Sequence, residues 1–339
     1  MKNRVAYIDH LKGISILLVV VGHFIQYNTI ESKDSRLFSF IYSFHMPLFM
    51  FISGYVAYLS INERIFQNYS SFLLKKIRSL LVPFFAWPLL VDKLFFNGNF
   101  QFNPYPRFLE LMEDPRTGLW FLWYLFFLTI IYSAFLLISN HLRGKFKFVT
   151  DVCLFFTFLI FLVILKVVHV TDYVDSFIQY YGYFFIGIFI AKYTWLKEKI
   201  LDYRLFSFFL ILFVLVVGFY SFGDPNFHSM GISLLIKIVS AVSAILSSYF
   251  IINKITFNAI VDGCVTKWGM SSIVIYATHF KFIDLFKGLY LIPELNNSLI
   301  IFISLFFSVL IISLCMGIYE IVKLCPPLNL LLYGGKTKV

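Results

Sequence analysis

Charge is what this 339-residue chain has least of. Asp, Glu, Lys and Arg make up 14% of it, where a soluble domain carries about a quarter. That scarcity, with 60% hydrophobic residues, excludes an ordinary water-soluble globule. Cysteine is sparse too. Cys153, Cys264, Cys315 and Cys325 show no metal or redox spacing, so no metal site is expected, and beside apolar runs they read as packing residues. No small-residue cleavage site follows the first apolar run, which reads as a retained span and not a removed signal peptide. No stretch is long and polar enough for a separate soluble domain, so residues 1–339 read as a single transmembrane domain. Internal repetition is lacking as well: 8–28 and 177–194 share no pattern, which argues against the repeat-built transporters.

Apolar runs and aromatic rings fill the space that charge leaves. Phe occurs 44 times and aromatics make up 21% of the chain, a composition that suits lipid-facing surfaces and interfacial belts. A span needs about 20 apolar residues. Ten windows qualify: 8–28, 38–60, 77–96, 119–139, 149–168, 177–194, 205–222, 230–252, 268–288 and 298–323. The expected fold is therefore an all-α polytopic membrane protein in a lipid bilayer, with about ten transmembrane helices. The longest loop, 97–118, holds Pro104, Pro106 and Pro115 with Glu110, Glu113 and Asp114.

The net charge of +10 does not call for nucleic acid, because membrane proteins collect Lys and Arg in loops on one side. Of the 28 Lys and Arg, 19 fall on the side of the two termini and seven on the other, with Lys166 and Lys237 inside spans. Both termini are thus expected in the cytoplasm.

The first window carries Asp9, Lys12 and His23. Eleven residues at roughly 100° each leave Lys12 and His23 only about 20° apart around the axis. A rise of about 1.5 Å per residue separates them by roughly 16 Å along it. Asp9 lies about 40° from His23. One stripe thus has a carboxylate and an ammonium near the cytoplasmic face and an imidazole well inside. An intramembrane histidine marks a function by default, although an interhelical hydrogen bond would also satisfy it. Asp9 and Lys12, three apart, form either a local ion pair or a substrate contact.

His45 precedes Met46-Pro47, where the proline frees a carbonyl and bends the second span. His45 either caps that carbonyl or faces the reaction; His279 in the ninth window is a similar case. Lys237, inside the eighth window, must pair, line a cavity or snorkel to the interface. Trp120 and Trp123 open the fourth span, where an aromatic belt is expected.

KGISILLVVVGH (12–23), FHMPLFMFISGY (44–55), KKIRSLLVPF (75–84), LWFLWYLF (119–126) and SSIVIYATH (271–279) together resemble the integral-membrane acyltransferase-3 family, in family order and over most of the chain. The size and FHMPLFMFISGY are similar to its bacterial sugar and exopolysaccharide O-acetyltransferases. The family's first-helix motif, a basic residue, ten residues, then His, falls on Lys12 and His23. Its third-helix motif, Arg, two residues, then Arg, falls on Lys75 and Arg78, with Lys in place of the first Arg. A guanidinium grips phosphate bidentately and an ammonium does not, so Lys75 departs from the pattern in substance.

The resemblance implies an enzyme of the bacterial inner membrane. It would move an acetyl group from cytoplasmic acetyl-CoA, a co-substrate, to a sugar hydroxyl of a cell-surface polysaccharide or its lipid-linked precursor. Catalytic candidates are His23, Asp9 and His45, with His23 the base that takes the hydroxyl proton or the carrier of a covalent acyl group. Lys12, Lys75 and Arg78 are the candidates for the donor's phosphates, because basic side chains at the cytoplasmic rim would hold them. Trp120, as a platform for a sugar ring, Lys237 and His279 are the acceptor-site candidates. The alternatives are a transporter exporting a glycan intermediate, or a family member using another donor such as succinyl-CoA.

Overall fold

The computed structural model describes residues 5–29, 36–61, 63–96, 104–141, 147–168, 173–219, 230–288 and 297–335. These residues are helical almost throughout, with no β-strand among them. A helix satisfies its own backbone groups, which hydrocarbon cannot do.

Helix α1 is Ala6–Asn28, α2 Arg36–Tyr42 and α3 His45–Ser60. A 3-10 turn at Glu63–Asn68 leads into α4 (Tyr69–Lys76). The chain then winds through a π-helical stretch (Ile77–Leu81), α5 (Val82–Ala86) and a second π-helical stretch (Trp87–Phe96). The short α6 (Tyr105–Glu113) precedes α7 (Trp120–His141), α8 (Lys147–Val167) and α9 (Val174–Lys192). After α10 (Thr194–Ile200) and α11 (Tyr203–Phe219) come α12 (Met230–Lys254), α13 (Ala259–Met270) and α14 (Ser272–Leu285). The last two are α15 (Asn297–Lys323) and α16 (Pro326–Tyr333).

Side-chain caps set several of these ends. Asn68 Oδ1 accepts from Ser71 N at 3.2 Å to start α4, and Asn258 Oδ1 accepts from Val261 N at 2.9 Å to start α13. Asp202 does the same for α11, accepting from Arg204 N at 2.7 Å where the chain turns by 63° after α10. Gly334, at φ 63°, closes α16 in the left-handed conformation that glycine adopts without strain.

Seven helices among the described residues are long and apolar enough to cross a membrane, or eight if α10 and α11 form one bent span. That is fewer than the ten windows. The 77–96 window alternates α and π winding, because Pro83 and Pro88 withhold the amides a regular ladder needs. The 268–288 window breaks at Ser271, leaving α14 at 14 residues, or about 21 Å. The 205–222 window holds α11, one limb of the bent pair, and ends outside the described residues. Segment 253–267, expected as a loop, is largely α13, and the expected loop at 97–118 contains α6, with 97–103 outside the described residues. Only Cys315 of the four cysteines is buried; Cys153, Cys264 and Cys325 are exposed, so packing explains one of them.

The chain divides into two compact units, Met1–Ile52 with Tyr193–Ile321, and Ser53–Lys192 with Val322–Val339. In the first, α1 is interior: 72% of its apolar window is buried, and Ile16, Val19, Val20, Phe24 and Ile25 are sealed. A helix apolar all round belongs there. Glycines let α13 cross it backbone to backbone. A Cβ on Gly13 would sit 2.1 Å from Val265 O, and one on Gly269 would sit 2.0 Å from Asp9 O. Small residues permit such an approach in membranes. His10 Nε2 also lies 2.8 Å from Asp262 Oδ1 between the same helices.

In the second unit, rings of α8 and α9 interlock. Phe155 stacks on Tyr181 at 5.1 Å, and Tyr181 OH donates to Phe155 O at 3.0 Å. Asp151 accepts from Ser139 Oγ at 2.9 Å and pairs with Lys192, which joins one end of α7, α8 and α9. The rest of α8 faces outward, with only 6% of its window buried. Helix α16 docks on the π-wound segment: Trp87 Nε1 donates to Leu332 O at 2.9 Å, and a Cβ on Gly334 would lie 2.6 Å from Arg78 O.

The α1–α13 crossing yields a paired prediction. Gly269→Val has no room and lowers stability by roughly 1–3 kcal/mol, read as a lower thermal midpoint in detergent. Gly263→Ala on the same helix meets nothing within 4 Å and leaves the midpoint unchanged or slightly raised, because alanine is the better helix former.

Candidate functional site

Three histidines far apart in sequence converge in the first unit. His23 sits near the C-terminal end of α1, His45 opens α3, and His279 lies in the second half of α14. The His23 ring is 5.4 Å from that of His279 and 6.5 Å from that of His45, centroid to centroid. His45 and His279 are buried, while His23 is partly accessible. Phe280 forms a wall against two of the rings, 4.4 Å from His23 and 4.5 Å from His279. Local sequence explains the convergence. Gly22 leaves room for α2, since its absent Cβ would lie 3.1 Å from both Ile41 and Tyr42. Tyr42, stacked on Phe38 at 3.9 Å, then stands 4.7 Å from the His45 ring across the short turn into α3.

Hydrogen bonds assign the ring protons. Gln26 Oε1 accepts from Tyr42 OH at 2.6 Å and lies 3.0 Å from His23 Nδ1, which is also 3.0 Å from the Tyr42 hydroxyl. An amide oxygen only accepts, so the proton is on His23 Nδ1 and the lone pair on Nε2. His45 Nδ1 donates to Ile41 O at 2.9 Å. That carbonyl is not Ser43 O, the one that Pro47 leaves without its helical amide donor. His279 Nδ1 donates to Ile275 O and Tyr276 O at 3.0 and 2.8 Å. All three neutral imidazoles therefore keep Nε2 as an acceptor. Among the described residues, His279 Nε2 is buried with no hydrogen-bond partner, a position that a ligand's donor would satisfy.

The other sequence candidates lie elsewhere. Asp9 is buried at the opposite end of α1, 14 residues or about 21 Å along the axis from His23. It is not brought to the histidines. Lys12, on the same stripe, is partly buried beside the α13 crossing. In the second unit, Lys75 is exposed at the end of α4. Burial, and after it the neighbouring Lys75 charge, lower the Lys76 ammonium to about 8. Arg78 rides the π-wound stretch, its Nε buried without a hydrogen-bond partner among the described residues. Trp120 stacks on Tyr180 at 4.9 Å and packs 5.5 Å from Tyr124. Lys237 is exposed on α12 among the exposed Leu234, Leu235 and Ile238, the setting of a snorkelling lysine.

Gln26, Tyr42 and Phe280 complete the cluster and were not found from sequence. Gln26 had a signal, since it is a polar residue three positions after His23 and so on the same face of α1. Tyr42 and Phe280 are two among many aromatics, and their sequence positions carry nothing to single them out.

A family profile described as an acyltransferase domain matches residues 5–318. Two relatives carry the name nodulation protein NolL. The one from Sinorhizobium fredii is 35% identical over 146 residues, 41% of this chain and 39% of its own length. The one from Mesorhizobium japonicum is 34% identical over 126 residues, 36% of this chain and 33% of its own length. The chain thus spans about two fifths and one third of the relatives it matches. No solved structure matches it. With the profile covering nearly its whole length and the histidine of the first-helix motif at the centre of the cluster, this chain belongs to the acyltransferase-3 family of membrane proteins.

Proposed function

We propose that this protein is a membrane O-acyltransferase that moves an acetyl group from cytoplasmic acetyl-CoA to a sugar hydroxyl of a cell-surface polysaccharide or its lipid-linked precursor, in the bacterial inner membrane. One observation carries the reading: three imidazoles meet with their Nδ1 protons committed, so the cluster offers acceptor nitrogens. A sugar is a cluster of hydroxyl donors, and the two complement each other.

The chemistry follows from that polarity. The acceptor hydroxyl gives its proton to His23 Nε2 as its oxygen forms a bond to the thioester carbonyl carbon. The carbon–sulfur bond then breaks, and the departing thiolate takes the proton back from the imidazolium, so charge and protons balance. His45 and His279 receive hydrogen bonds from neighbouring hydroxyls of the acceptor and orient it. Lys12, Lys75 and Arg78 are each assigned to phosphate groups of the donor. The unpartnered Arg78 Nε supports that assignment most directly, since a buried guanidinium N–H wants an anionic acceptor. Trp120, in its aromatic group, is assigned to a sugar ring.

Membranes carrying wild-type protein transfer label from acetyl-CoA to glycan, and His23→Ala protein, inserted to the same level, loses roughly 100-fold or more of that rate. Transfer at the wild-type rate would overturn the reading. Arg78→Lys keeps the charge and loses the fork. It raises the KM for acetyl-CoA about tenfold, or roughly 1.4 kcal/mol, with little change in kcat, as measured by donor titration of the same transfer.

A further inference from the structure

We propose that Gln26, steadied by Tyr42, is the positioning residue of His23. It holds the ring by Nδ1 with a neutral acceptor, where Ser-His-Asp triads use a carboxylate. This rests on the reading of His23 as the base.

The three side chains meet at one oxygen. Gln26 Oε1 faces both the Tyr42 hydroxyl at 2.6 Å and His23 Nδ1 at 3.0 Å, so one oxygen accepts both protons. The Tyr42 hydroxyl donates to that oxygen at the shorter distance and so holds the acceptor end of the amide toward the ring. Tyr42 is itself held, stacked on Phe38 and packed against Gly22. The consequence for His23 is a single tautomer and a single ring orientation, with Nε2 directed away from Gln26. A base that must meet a hydroxyl within hydrogen-bond reach gains most from that restraint.

The setting explains why an amide serves here. In a triad, the buried carboxylate orients the histidine and stabilises the imidazolium. At this depth an ionised carboxylate is expensive unless paired. The rings around His23 are those of His45, His279, Tyr42 and Phe280, and none of them supplies a lasting positive charge. Gln26 provides the orientation without the charge. The Nδ1 proton stays on the ring throughout, and only Nε2 gains and loses one.

Gln26→Met matches the side chain in length but has no acceptor. Gln26→Glu keeps an acceptor oxygen at the same reach whether or not it is ionised. Tyr42→Phe keeps the stack and removes the hydroxyl. Transfer from labelled acetyl-CoA is followed for each in membranes, with KM and kcat separated and rates normalised to inserted protein. We expect kcat to fall about 100-fold for Gln26→Met and about tenfold for Tyr42→Phe, with the KM for donor unchanged in both, and Gln26→Glu to return within about tenfold of wild type. A Gln26→Met kcat equal to wild type would mean that the side chain only packs, and would overturn the proposal. So would a Gln26→Glu kcat as low as that of Gln26→Met, or a changed KM at constant kcat. If Gln26→Met does not insert, Tyr42→Phe decides by the same criteria. His23→Ala separates the two levels: if it too is fully active, the assignment of the base has failed and not merely that of its support.

Discussion

A polar group carried into hydrocarbon has no water to satisfy it, and the functional unit is organised around that constraint. Each of the three clustered histidines commits Nδ1 to an oxygen nearby: Gln26 and Tyr42 for His23, backbone carbonyls one turn back for His45 and His279. These bonds make the imidazoles tolerable in an apolar interior. They also decide the chemistry, because a neutral imidazole whose Nδ1 donates can only accept at Nε2. The bonds that make burial tolerable therefore also set the polarity of the cluster.

Helix α1 is where this constraint meets the packing. Its glycines mark both ends of the work. Gly13 lets α13 cross closely near Asp9 and Lys12, and Gly22 admits Tyr42 and Ile41 beside His23. Between them Ile16, Val19 and Val20 are sealed. In the second unit, the Arg78 segment shows a related economy. Prolines that disturb regular winding leave a π-helical stretch, a form frequent at functional sites, and α16 docks on that stretch through Trp87 and Gly334.

Much of this was legible in the sequence, for reasons that differ by residue. Low charge and long apolar runs give an all-α membrane protein directly, since hydrocarbon admits few alternatives. The spacing of Lys12 and His23 was readable because helical periodicity is strict. The irregular winding was not: hydropathy sees neither the break at Ser271 nor the π-helical stretches around Pro83 and Pro88. The setting of Lys237 was not legible, because an isolated charge in an apolar window reads alike whether it lines a cavity or snorkels. His279 was found as a residue but not as a neighbour of His23. Its approach depends on how α14 packs against α1, and no local pattern encodes a contact across 256 positions. Gln26 carried a helical-face signal, but its meaning required Tyr42.

The central claim is that His23 is held by Nδ1 and offers Nε2. Nitrogen-15 NMR on histidine-labelled protein in bilayers reads it directly, with the His23 signals assigned by their loss in His23→Gln. The account predicts that at neutral pH the His23 proton resides on Nδ1, with Nε2 at the shift of an unprotonated ring nitrogen. A proton on Nε2, with Nδ1 as the acceptor, would contradict it.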